Sequence, residues 1–192
     1  MLTYFEREKE TNLGKATEAL RHEHESILSV LEIAEDVMRS GHPAEDKFKF
    51  GNEFIYFLSV FTDRCHHGKE ESLLFPTLIL KGLPDDDGPI GVLIQEHVYG
   101  IAMVKTMRSD VEEKDLIRLI EHIAEYTIFI RKHIAKENNV LYPLADKILT
   151  RDDQEEMFEN FEIHEEDVVG HGIHEQLHQM IDQWLITYEI RD

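Results

Sequence analysis

The sequence predicts an all-α protein: an up-and-down four-helix bundle followed by a C-terminal helical extension. Three observations carry this prediction. Apolar residues recur at spacings of three and four in four long stretches. Glycine and proline interrupt the chain between those stretches. One wording also occurs twice, because His66-His67-Gly68-Lys69-Glu70-Glu71-Ser72-Leu73-Leu74-Phe75-Pro76 returns as His133-Ile134-Ala135-Lys136-Glu137-Asn138-Asn139-Val140-Leu141-Tyr142-Pro143. Both copies read H-x-x-K-E-x-x-x-L-[FY]-P. Each follows a weaker repeat, Glu23-His24 in the first unit and Glu96-His97 in the second.

The elements follow in order. Met1 to Asn12 are charged, lack periodicity and form a lead-in. From Leu13 a helix is expected, with Leu20, His24, Ile27, Leu31, Ala34 and Met38 on one face. His24 lies in that stripe, whereas His22 is about 160° away and faces outward. Gly41-His42-Pro43 ends the helix. A second helix runs from Ala44 towards Leu80, with a kink or break at Pro76, whose missing N–H leaves the Ser72 carbonyl without a partner. Pro143 repeats the situation. The loop Gly82 to Pro89 separates the two units. The third helix runs from Pro89 to Ser109 with Leu93, His97, Ile101 and Val104 inward, and the fourth from Lys114 to Leu149. Residues 1–149 are thus read as the bundle domain and 150–192 as an extension packed on it. The extension is expected as two short helices divided at Gly170-His171-Gly172.

Composition sets the outer limits. A chain of 192 residues with 42% apolar and 31% charged residues suits a folded, soluble domain. Its longest apolar run, Phe54 to Phe61, is far short of the roughly 20 residues of a membrane span. A formal charge of −20 argues against nucleic acid or anionic membrane as partner. The single cysteine, Cys65, excludes an internal disulfide and fits a cytoplasmic location.

The repeat carries the chemistry. Residues four apart share a helix face, so His66 with Glu70 and His133 with Glu137 each present an imidazole and a carboxylate to one point. His24 and His97 complete the two units. Buried charge is costly unless paired or coordinated, so four imidazoles and two carboxylates in one core call for a cation. Iron, manganese and zinc all suit these donors. His67 with Glu71 makes a competing pair. The second copy has Ile134 and Asn138 there, which makes His66 with Glu70 the symmetric choice and predicts that His67→Ala leaves metal content unchanged. Tyr126, two turns before His133, is either a hydrogen-bonding group beside the site or a core tyrosine.

These motifs resemble the hemerythrin-like, HHE cation-binding family over roughly Leu13 to Leu149. The repeated H-x-x-x-E with L-[FY]-P, Cys65-His66-His67, and Gly88-Pro89-Ile90-Gly91-Val92-Leu93 leading into Glu96-His97 carry the resemblance. It implies a non-haem di-iron centre of two iron ions, oxo- or hydroxo-bridged, with zinc or manganese as alternatives. The metal ligands it implies are His24, His66, Glu70, His97, His133 and Glu137. It further implies a small diatomic or peroxide ligand, O2, NO or peroxide, held for binding, sensing or redox work. The competing reading is a di-iron oxidoreductase acting in peroxide or NO detoxification or in iron–sulfur cluster repair. A homo-oligomer is compatible with either.

The extension holds His164, His171, His174 and His178. His174-Glu175-Gln176-Leu177-His178 fits the H-E-x-x-H wording of zinc proteases, but only fourteen residues follow in which to find a third ligand. Packing or surface positions are expected for these histidines, with closure over the site or an accessory metal as the alternatives.

Overall fold

The computed structural model describes residues 14–85 and 88–189, and among these there is no strand. The lead-in expected over Met1 to Asn12 lies outside the described residues. Helix α1 spans Lys15–Arg39. Helix α2, Ala44–Phe57, continues through the π-helical stretches Leu58–His67 and Glu70–Leu74 into α3, Phe75–Leu80. Helix α4 covers Pro89–Glu113, and α5, Leu116–Lys136, continues through π-helical Glu137–Leu141 into α6, Tyr142–Ile148. Helix α7, Arg151–His164, ends in the π-helical turn Glu165–Val169, and α8 is Ile173–Thr187.

The ends of these helices follow from local chemistry. Pro89, with φ already near helical values, opens α4. The Asp115 side chain accepts from Arg118 N at the start of α5. Thr150 and Asp153 form a reciprocal capping box on α7. The break before α8 uses two glycines, Gly170 and Gly172, at φ of 112° and 72°. Helix α1 receives its N-terminal partner from far away in sequence, since Ala16 N and Thr17 N donate to Gln154 Oε1 of α7 at 3.1 and 3.3 Å.

Of the kink or break expected at the two prolines, the structure excludes the break. The helix does not break at Pro76 or Pro143. A turn of π-helix precedes each proline instead, with Phe75 N donating to Glu70 O and Tyr142 N donating to Glu137 O. The wider turn accommodates the extra residue without ending the helix. It also places Glu70 and Glu137 each as the first residue of a π turn, one on either long helical rod.

Helix α1 packs on α2, α5 and α7, while α4 packs on α2 and α5. The core divides into two apolar clusters. One contains Ile27, Leu31, Phe54, Phe61, Cys65, Val104 and Ile134 among others. The second contains Leu20, Leu74, Phe75, Leu93, Leu141 and Tyr142 among others. On each rod a polar ligand-type residue falls between the clusters: His24 between Leu20 and Ile27, Glu70 between Cys65 and Leu74, His97 between Leu93 and Val104, and Glu137 between Ile134 and Leu141. A polar layer therefore crosses the core, enclosed by apolar side chains above and below.

Trp184 of α8 fixes the extension to the second rod. Its ring packs edge-on against Phe50 and Phe57, at centroid distances of 5.2 and 6.0 Å, and Nε1 donates to Glu53 Oε2 at 2.7 Å. Trp184→Ala is expected to cost about 3–5 kcal/mol, read as a lowered denaturant midpoint. An unchanged midpoint would mean that α8 contributes nothing to the stability of the bundle.

Candidate metal centre

All six residues singled out from the repeat are brought together in the polar layer. His24, His66, His97 and His133 are each 1% exposed, and Glu70 and Glu137 are fully buried. Glu137 lies between the two units, with Oε2 at 3.1 Å from His24 Nε2 and Oε1 at 3.1 Å from His133 Nε2. Glu70 does the same from the opposite side, with Oε2 at 3.4 Å from His97 Nε2 and 3.8 Å from His66 Nε2. Each carboxylate thus faces imidazoles of both units, and Glu137 Oε1 also lies 3.6 Å from His97 Nε2.

The outer edges of the rings are tethered by one rule. His24 Nδ1 meets Asn138 Oδ1 at 3.0 Å, His66 Nδ1 meets Glu23 Oε2 at 2.8 Å, His97 Nδ1 meets Glu71 Oε1 at 2.7 Å, and His133 Nδ1 meets Glu96 Oε2 at 3.0 Å. An oxygen acceptor at Nδ1 places the proton there and leaves the Nε2 lone pair pointing into the site. Glu23 is held in turn by Lys69, and Glu96 by Lys136. Glu23 and Glu96 thus act between helices, as partners of the ligand-type histidines. Replacing Glu23 or Glu96 by Gln is expected to weaken metal binding about 10–100-fold while leaving the helical spectrum intact. Unchanged affinity in both variants would show that the tethers do not orient the rings.

The inward atoms fit a cation. His66 Nε2, His97 Nε2, His133 Nε2, Glu70 Oε2 and both oxygens of Glu137 are buried and make no hydrogen bond. Buried polar atoms are rarely left this way, and here donor atoms of one chemical type converge from four helical rods. Two sets each bring one donor atom per residue within 4.8 Å of the others: His24, His66 and Glu137, and Glu70, His97 and Glu137. His67, His97 and His133 form another such set.

Electrostatics points the same way. Burial, with the neighbouring Glu137 charge, pushes Glu70 well above the usual carboxylate range. At Glu137 burial also raises the pKa, but His133, His24 and His97 outweigh it and hold the group well below that range. Burial and the nearby His24 lower His66 to about 4. A bound cation removes this conflict by favouring the ionised carboxylates and neutral imidazoles together.

Several neighbours were not legible as site residues. His67 is buried, stacked on His97 at 3.8 Å between ring centroids. The sequence sets His66 and His67 as alternatives, whereas the π-helical stretch Leu58–His67 turns both inward. The Tyr142 hydroxyl donates to Glu70 Oε1 at 2.8 Å, and its ring stacks on His24 at 5.4 Å. Tyr126 is a core tyrosine, packed on Phe54, and its hydroxyl makes no hydrogen bond. Of the apolar residues on these helices, Leu31 and Val104 are buried, whereas Val140 is 49% exposed. The π turn Glu137–Leu141 adds a residue to the turn, so Leu141 takes the inward place in its stead.

Cys65 is fully buried, and burial pushes its thiol up to about 12, which fits a packed, unreactive side chain. The C-terminal histidines take packing and surface roles. His164 Nε2 contacts Arg64 O at 3.0 Å, His171 pairs with Glu166 at the surface, and His174 and His178 pack on Phe61. Donor atoms of Glu23, Cys65, Glu165 and His174 also approach within 4.8 Å. The Lys69 ammonium already serves Glu23 and Glu165 there.

A helical protein with imidazoles and carboxylates converging from four rods, the rings oriented by outer acceptors, is a metal-binding helical protein by construction. The chain matches the hemerythrin HHE cation binding domain over residues 15–145, more than half its length, and the protein belongs to that family. Neither the curated proteins nor the solved structures give a match. No helix of the described residues is long and apolar enough to cross a membrane.

Proposed function

We propose that this protein is a cytoplasmic non-haem di-iron protein that binds O2, NO or peroxide. In this reading residues 1–149 form an up-and-down four-helix bundle domain, and residues 150–192 are an extension packed on it. His24, His66, Glu70, His97, His133 and Glu137 would hold two iron ions. The observation that carries the reading is the convergence of six orphaned, buried donor atoms on one layer of the core. Iron bound there supplies two accessible oxidation states and a position for a small ligand.

The remaining chemistry belongs to the chain. The Nδ1 tethers hold the four rings in place. Tyr142 keeps a hydroxyl proton at Glu70 Oε1. The apolar clusters on both sides exclude water and favour an uncharged diatomic guest over a hydrated ion. The negative surface favours neither nucleic acid nor anionic membrane as partner. Iron-loaded protein is expected to form a lasting spectral adduct with O2 or NO and to consume peroxide or NO slowly, if at all. Rapid multiple turnover of either would replace this reading with that of an oxidoreductase.

A further inference from the structure

The tether on His66 does not end at Glu23. His66 Nδ1 meets Glu23 Oε2 at 2.8 Å, Glu23 is paired with Lys69, and the Lys69 ammonium donates at 2.7 Å to Glu165 Oε1, on the π-helical turn after α7. Glu23 and Lys69 are buried, whereas the Glu165 side chain keeps 28% of its surface in solvent. A line of hydrogen bonds therefore runs from a ring of the polar layer to the outer side of the extension. The second unit has only the first two links, because His133 Nδ1 meets Glu96 and Glu96 pairs with Lys136, whose side chain is half in solvent.

The rod is shaped for this contact. His164 Nε2 donates to Arg64 O at 3.0 Å, and the Arg64 guanidinium donates to Val168 O. A methyl group on Gly68 would come within 2.8 Å of His164 Nε2, so the close approach needs glycine there. The second copy of the repeat carries Ala135 at this position, exposed. The extension thus touches the rod at Arg64, Gly68 and Lys69, on both sides of His66 in sequence. The family match ends at residue 145, before α7 begins at Arg151, so the contact is made by a segment outside the matched domain.

We propose that the extension is coupled to the metal centre: Glu165 is a positioning residue that acts on His66 through Lys69 and Glu23, and filling of the centre in turn tightens the hold on the extension. The inference rests on the reading that the polar layer binds metal. A ring held at Nδ1 by a fixed acceptor presents Nε2 in one orientation, so each link that fixes Glu23 favours the bound ion. An ion on Nε2 fixes the ring and makes its Nδ1–H a stronger donor. The two effects are one coupling free energy and must be reciprocal. Only the first unit has the connection, so the extension responds to the half of the centre built by α1 and the second rod.

The test uses the full chain, metal-free and loaded with zinc(II). Backbone amide exchange over residues 165–187 is expected to be about fivefold or more slower in the loaded wild type. Glu165→Gln removes the charge that meets Lys69. It is expected to abolish that difference in the extension while α5 keeps its own, and to weaken zinc binding about tenfold in competition with a chelator. If this variant fails to fold, Gly68→Ala carries the same test, because it installs the residue of the second copy and pushes His164 off the rod. An extension that exchanges equally fast in both wild-type forms, or zinc affinity unchanged in the folded variant, would overturn the coupling and leave the metal centre standing. No zinc binding by the wild type would bring down the metal reading and the coupling with it.

Discussion

Glu137→Ala is expected to empty the site. Glu137 is the carboxylate closest to imidazoles from both units, at 3.1 Å from His24 Nε2 and 3.1 Å from His133 Nε2. Its removal takes away the carboxylate that faces imidazoles of both units and leaves Glu70 as the sole carboxylate among the four imidazoles. The loss should exceed the roughly 10–100-fold effect of removing an outer tether. Equilibrium dialysis of the variant is expected to show less than about one metal ion per chain at concentrations that saturate the wild type. Without metal, the variant should stay folded, because the two apolar clusters do not depend on Glu137. Full metal content in Glu137→Ala would show that the inward carboxylates are not ligands.

Lys69→Met is expected to produce a large loss of stability. Lys69 is 1% exposed and its ammonium serves Glu23 and Glu165, linking the second rod to α1 and to the turn after α7. Removing one member of a buried ion pair leaves the other uncompensated and costs about 3–5 kcal/mol. Lys136, its counterpart in the second unit, has 49% of its side chain exposed, so Lys136→Met should cost much less, about 1 kcal/mol or below. The pH dependence follows from Glu23. Burial raises its pKa, but the bonds from His66 and Lys69 outweigh this and hold it near 2, below its ordinary 4.5. A depressed carboxylate contributes stability that is present above about 4.5 and lost as pH falls towards 2. The gap between wild type and Lys69→Met, measured on metal-free protein, should therefore be full near neutral pH and narrow below 4.5. A gap that is constant across this window, or absent throughout, would contradict the network.

Much of this architecture was legible because it is repeated. Two copies of H-x-x-K-E-x-x-x-L-[FY]-P pick out the inward turn of two helices, and a spacing of four is enough to align each imidazole with its carboxylate. The lysine of the motif was legible as part of the pattern, but its partner was not, because Glu23 and Glu96 are supplied by other helices. Glu71 and Asn138, equivalent positions that both serve as Nδ1 acceptors, differ in residue type between the copies and so gave no signal. The π turns were hidden for another reason. They arise from the demand that Pro76 and Pro143 place on the preceding turn, and helical periodicity counted at 3.6 residues cannot register them. That phase change is why Val140 turns outward and why Tyr142 comes to lie on His24. The docking of the extension through Gln154, Glu165 and Trp184 is long-range and was expected only in outline.

The most direct measurement is the metal content of the purified protein, taken with its visible spectrum before and after reduction and exposure to O2 or NO. The account predicts about two irons per chain, near-ultraviolet and visible absorption that bleaches on reduction, and a distinct new spectrum with the small ligand. Zinc as the only tightly held metal, or no metal after anaerobic iron loading, would contradict the di-iron centre.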